Sequence, residues 1–153
     1  TTAPETHMPV FTPVKRRSTM YEAQTAAAGT VIARVLPNID ITDAVLRVCR
    51  EAGYETASVR AGLGSFVGAT FIDRATGQIR LADGPATEVI ALVGDVRTIG
   101  GELAVRLTAT LVDRHGVIHA GELVPGENLV AATFELTIQR IDTPAVDVIR
   151  RAA

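Results

Sequence analysis

Tryptophan is absent from this chain of 153 residues, aromatic residues make up only 4% of it, and it holds one cysteine. Each scarcity excludes something. With so few rings, the core has to be assembled from Val, Ile, Leu and Ala. A single thiol, Cys49, rules out a disulfide within the chain and suits a reducing compartment. It falls inside a helical pattern and reads as a small buried apolar residue. No apolar run approaches the ~20 residues that a membrane-spanning helix needs. The opening segment, Thr1-Thr2-Ala3-Pro4-Glu5-Thr6, lacks the charged-then-apolar layout of a signal peptide. A surplus of basic charge is missing too: 15 Lys and Arg face 17 Asp and Glu, for a net charge of −2. That argues against a general electrostatic grip on nucleic acid or on an anionic membrane. The expectation is a cytoplasmic protein without membrane contact.

What is present is globular. Hydrophobic residues at 47% and charged residues at 21% fit one folded domain with a core of its own. Residues 1–28 read as an N-terminal arm and linker. Pro4, Pro9 and Pro13 punctuate it, Lys15-Arg16-Arg17 is its only charge run, and Ala23–Gly29 is a stretch of small residues. The domain is expected over residues 29–142, followed by a C-terminal tail over 143–153. Thr30–Leu36 reads as a strand ended by Pro37-Asn38. Ile41, Ala44, Val45, Val48, Cys49 and Ala52 then recur at helical spacing. Asn38 or Asp40 can cap that helix and Gly53 stops it. Beyond it the pattern is of strands: Thr56–Ala61, a flexible joint at Gly62-Leu63-Gly64-Ser65, then Phe66–Asp73, Gln78–Leu81, Glu88–Val96 and Leu129–Arg140. The fold class is α+β, a mainly antiparallel sheet packed with one main helix.

The stretch Leu103–Leu123 is the most informative. Asp113-Arg114-His115-Gly116-Val117 fits a three-residue hairpin loop, with Gly116 where a positive φ is required. That register pairs Thr110 with Ala120 and Thr108 with Glu122. Side chains alternate along a strand, so Arg106, Thr108, Thr110 and Glu122 share one face. Leu103, Val105, Leu107, Ala109 and Leu111 take the other. A two-residue loop would instead set Glu122 among the apolar residues, where an unpaired carboxylate is costly.

Several motifs together carry a resemblance. They are VIARVLPNIDITDAVLRVCREAG, the Gly-rich ASVRAGLGSFVGATF, EVIALVGDV, LTATLVDRHGVIHAGELVPG and AATFELTI, spread over Thr30–Ile141. In this order they resemble the plants-and-prokaryotes-conserved domain (PPC, also PCC). The resemblance implies a sheet-and-helix fold that assembles as a homotrimer. In plant relatives the domain follows AT-hooks that enter the minor groove of A·T-rich DNA, and many bacterial relatives carry a DNA-binding label taken from them. This chain departs from the pattern twice. It has no Arg-Gly-Arg-Pro core, since Lys15-Arg16-Arg17 has neither Gly nor Pro beside it. Many prokaryotic relatives also carry a His-x-His pair and a third His that can hold a metal, and here those positions read Arg106, Thr108 and Glu122. A guanidinium and a hydroxyl do not replace two imidazoles, so no metal is expected.

The candidate catalytic residues are therefore Glu122, Arg106 and Thr108. One reading is a pocket for a polar or anionic ligand, with Arg106 as clamp and Glu122 as acid or base. The other is a diagonal cross-strand ion pair of purely structural value. Candidate ligand-binding residues are Arg60, Gly64, Ser65, Glu88, Arg97 and His119. Gly64 and Ser65 lie in a glycine-rich stretch that resembles a phosphate cradle but leads into a strand, so close backbone packing competes with anion binding. Glu88 is a strand-end charge by sequence and a pocket-side residue by resemblance. Arg97 reads as a ligand clamp or a solvated loop residue. His119 faces away from Glu122, opposite Leu111, as a proton shuttle or a partly buried structural imidazole. His115 sits in the turn, and His7 in the arm. No cofactor fingerprint appears. The expected partners are the chain itself, in a homotrimer, and a small polar or anionic molecule, with DNA disfavoured. A structural oligomerisation module is the remaining alternative.

Overall fold

The computed structural model describes residues 12–142. Eleven elements follow one another: β1 (Lys15–Arg17), β2 (Tyr21–Ala27), β3 (Thr30–Val35), α1 (Ile41–Ala52), β4 (Ala57–Phe66), β5 (Ala69–Asp73), β6 (Gln78–Ala82), β7 (Thr87–Ile99), β8 (Glu102–Val112), β9 (Ile118–Leu123) and β10 (Val130–Arg140). The strands form one sheet in the order β1-β2-β3-β10-β4-β7-β8-β9-β5-β6. The neighbours whose register is resolved, from β1 to β6, all run antiparallel. The α+β class expected from the sequence is the one observed.

The helix forms for local reasons. The Asp40 carboxylate accepts from the backbone N–H of Thr42 at 2.9 Å and of Asp43 at 3.0 Å, satisfying donors that the first turn leaves free. The helix ends at Gly53. Its stripe of Ile41, Ala44, Val45, Val48 and Cys49 is buried, and the helix packs against β3 and β8. Burial pushes the Cys49 thiol up to about 12, so it stays protonated and unreactive. Few rings are needed: Phe66 and Phe134 stack with centroids 5.2 Å apart. Val, Leu, Ile and Ala from nine strands supply most of the rest.

A second fixed point joins the helix to the far half of the sheet. Asn128, fully buried, donates from its backbone to the other oxygen of Asp40 at 2.9 Å. Its side-chain amide donates to the carbonyls of Thr70 at 3.1 Å and Val124 at 2.9 Å, and its side-chain oxygen accepts from Thr70 N–H at 2.9 Å. Both N–H donors and the oxygen of that amide have partners, which is the condition for burying it.

The structure corrects two expectations. Residues 15–27 are not a detached arm: β1 and β2 extend the sheet past β3, and Tyr21 is fully buried. The Tyr21 hydroxyl donates to the Glu51 carboxylate at the end of α1, and Arg47 and Arg16 bind the same residue. Desolvation and that carboxylate raise the Tyr21 pKa. The small residues of Ala23–Ala27 give no period of their own, and pairing with β3 supplies what the local sequence does not. Nor is Gly62-Leu63-Gly64-Ser65 a joint. It lies inside β4, between β10 and β7. A Cβ on Gly62 would stand 2.9 Å from Leu92 Cδ2 and from Phe134 Cε1, so the glycine serves close packing. The strand expected over Phe66–Asp73 is interrupted at Val67-Gly68, where the chain leaves β4 for β5. His7 and the tail at 143–153 lie outside the described residues.

Candidate functional site

The β8–β9 hairpin has the register that its turn chemistry dictates. Thr108 faces Glu122, Thr110 faces Ala120, and Leu111 faces His119. Gly116 takes φ 79°, and the Asp113 N–H donates to the Val117 carbonyl at 2.9 Å. Leu107, Ala109 and Leu111 are buried on the helix side. Arg106, Thr108 and Glu122 therefore share the opposite, outer face of the sheet.

Glu122 is the centre of that face. Its side chain keeps only 18% of its exposure, and Arg106 Nε donates to Oε2 at 2.9 Å. A second guanidinium, Arg74, binds the same oxygen. Arg74 comes from the turn between β5 and β6, and β5 brings it there by pairing with β9, Ile72 opposite Glu122. On the other side of Arg106 stands Asp95 of β7, its direct cross-strand neighbour, held by Arg97 at 2.8 Å. The result is a chain of alternating charge that runs across β7, β8 and β9 to the β5–β6 turn. Thr108 carries the only hydroxyl directly across from the carboxylate.

A concave region of about 530 Å³ opens beside this chain, over β4, β7 and β8. Ser58, Arg60, Val93, Asp95, Arg106 and Thr108 line it. A second depression of about 370 Å³ adjoins it, bounded by Asp95, Arg97, Arg106 and Glu122. Arg60 and Arg97 are thus brought to the same face as Arg106, Thr108 and Glu122. Gly64, Ser65 and Glu88 line neither depression: Ser65 pairs with Glu88 at the opposite end of the β4–β7 ladder. Arg74, Ser58 and Asp95 are site residues that the sequence reading did not single out. Arg74 had no local signal, because its approach depends on a pairing between strands nearly fifty positions apart.

His119 lies on the helix side, against Phe71 with centroids 5.6 Å apart. Its Nε2 is 2.8 Å from Asp113 Oδ2. Asp113 also accepts from the backbone N–H of His115 at 2.8 Å and of Val117 at 3.0 Å. The His119 hydrogen bond, with these two, holds the Asp113 carboxyl down at about 2. This group locks the turn and does not reach Glu122.

Arg106, Thr108 and Glu122 do not fit a metal ion. They offer one carboxylate, already held by two guanidinium groups, and no imidazole. Among the described residues no three His, Cys, Asp or Glu side chains converge. No described helix is long and apolar enough to cross a membrane.

Solved structures share this fold. A candidate DNA-binding protein from Bacteroides thetaiotaomicron aligns with TM-score 0.71 at 17% identity, over 82% of this chain and 86% of its own. A plant- and prokaryote-conserved protein from Pyrococcus horikoshii aligns with TM-score 0.64 at 22% identity, over 84% and 87%. A metal-containing protein from Archaeoglobus fulgidus aligns with TM-score 0.59 at 14% identity, over 80% and 85%. At such identities the likeness concerns the fold. No curated protein sequence matches this chain. The family model of the Plants and Prokaryotes Conserved domain matches residues 22–142, from the second strand to the end of the last, and the chain belongs to that PCC family.

Proposed function

We propose that this PCC domain assembles as a homotrimer and binds a small polar or anionic molecule at or near a subunit boundary, through Arg106, Thr108 and Glu122. The observation that carries the reading is the state of Glu122. It is a carboxylate drawn most of the way out of solvent on the outer face of a sheet and held there by two arginines. Isolated surface pairs contribute little to stability, so stability alone gives no reason to shield it. Arg106 acts as the clamp, Thr108 as a neutral donor or acceptor, and Glu122 as the orienting acid or base. Self-association is supported by the same face, where Ile79, Leu81 and Ile118 are each more than 65% exposed and one helix lies on the other side.

The test is Glu122→Gln, read by sedimentation and by thermal shift against small carboxylates, phosphates and polyols. Lost ligand response in an intact trimer supports the site. An unchanged protein reduces the domain to an oligomerisation module. A second reading, DNA-associated regulation, is favoured by the DNA-binding description of the Bacteroides neighbour. The net charge of −2 and the missing Arg-Gly-Arg-Pro core weigh against it. A salt-dependent shift of an A·T-rich duplex would restore it.

A further inference from the structure

Charge around the two depressions does not balance. Four guanidinium groups, Arg60, Arg74, Arg97 and Arg106, gather around two carboxylates, Asp95 and Glu122. Asp95 is engaged by Arg97, and Glu122 by Arg106 and Arg74. Arg60 has no ion-pair partner among the described residues. This surplus stands on a chain with an overall charge of −2, so it is a local property of the site.

The surplus is also spatially divided. Arg60 belongs to β4 and Arg106 to β8, two strand spacings apart, or roughly 10 Å. Between them lies Val93 of β7, opposite Thr108 and 52% exposed. Ser58 and Thr108 add a hydroxyl on each side. Arg106 spends its Nε on Glu122 and keeps the two terminal nitrogens of its fork. A cation at either wall defines a bipolar cavity, and the strand between them presents Val93 beside Asp95, whose carboxylate is taken by Arg97.

We infer that this cavity, on the reading of it as a ligand site given above, takes a small dianion whose two oxyanion groups are joined by a short aliphatic spacer. One group sits on Arg60 and Ser58, the other on Arg106 and Thr108, and the spacer covers Val93. A neutral ligand leaves Arg60 without a counter-charge, and a monoanion satisfies one wall of two. Asp95, on the central strand between Ser58 and Arg106, repels any third negative group, which selects against polyphosphates.

Isothermal titration of the full chain tests this with succinate, glutarate, butyrate, inorganic phosphate and butane-1,4-diol. A dicarboxylate is expected to bind about tenfold more tightly than butyrate, the worth of one further charge-assisted hydrogen-bonded group. Arg60→Met should bring the dicarboxylate to the butyrate level, whereas Arg34→Met, on β3 and outside the cavity, should leave it unchanged. Equal affinity for butyrate or phosphate, or an Arg60→Met protein that still prefers dicarboxylates, overturns the inference. Preference for the diol overturns it too but leaves a polar ligand site in place. Silence toward all five probes removes both. If Arg60→Met does not fold, the dicarboxylate-to-butyrate ratio of the unaltered protein decides the matter.

Discussion

Two polar clusters in this domain answer the cost of burying charge in opposite ways. At the Asp40–Asn128 junction both residues are at most 5% exposed and each side-chain oxygen and nitrogen finds a backbone partner. On the outer face Arg74, Arg106 and Glu122 form ion pairs whose arginines remain more than half exposed. The first cluster ties together segments that the chain separates by 88 positions. The second ties strands that backbone ladders already join, and leaves cationic capacity unspent. A buried polar group has to be fully partnered, whereas donors that face solvent can stay without a protein partner at little cost.

Predictions follow that can break this contrast. The largest effect is expected from Asn128→Ala, which strands the Thr70 N–H and takes one of two donors from each of the Thr70 and Val124 carbonyls, and should cost about 3 kcal/mol in urea denaturation. Asp40→Ala removes a helix cap and the partner of the Asn128 N–H, and should cost about 2 kcal/mol. The two losses should fall short of additive, because the residues share one network. Asp113→Asn should have a smaller effect that depends on pH. The Asp113 carboxyl is held at about 2 in the folded chain, below its unfolded value of about 3.9. Its contribution is therefore complete above about pH 4 and fades as pH falls toward about 2. Denaturation midpoints of the parent and the Asn variant should differ at pH 6 (about two units above the unfolded value) and converge on acidification. The smallest effect on folding is expected for Glu122→Gln, less than about 1 kcal/mol, because solvent screens its partners. If Glu122→Gln unfolds the protein as Asn128→Ala does, the outer cluster is structural after all.

Much of this was legible because it is local. The helix from Ile41 to Ala52, its cap at Asp40 and its stop at Gly53 follow from periodicity and capping within a dozen residues. The β8–β9 register follows from one turn and the cost of a misplaced carboxylate, and it places Arg106, Thr108 and Glu122 on one face. Other features were hidden for a shared reason. Tyr21–Ala27 reads as a linker until β3 is beside it, and Gly62 reads as a joint until Leu92 and Phe134 are packed against it.

The sequence by itself determined the class of the fold, the one helix, the hairpin and its polar face, because short-range sterics and alternation decide those. Only the tertiary structure decided that Arg74 reaches Glu122, that Arg60 shares a cavity with Arg106, and that Asn128 closes on Asp40. Each of these contacts joins residues brought together by strand pairing across the sheet or by its packing on the helix. A chain read in order carries no local trace of which distant strand will be its neighbour.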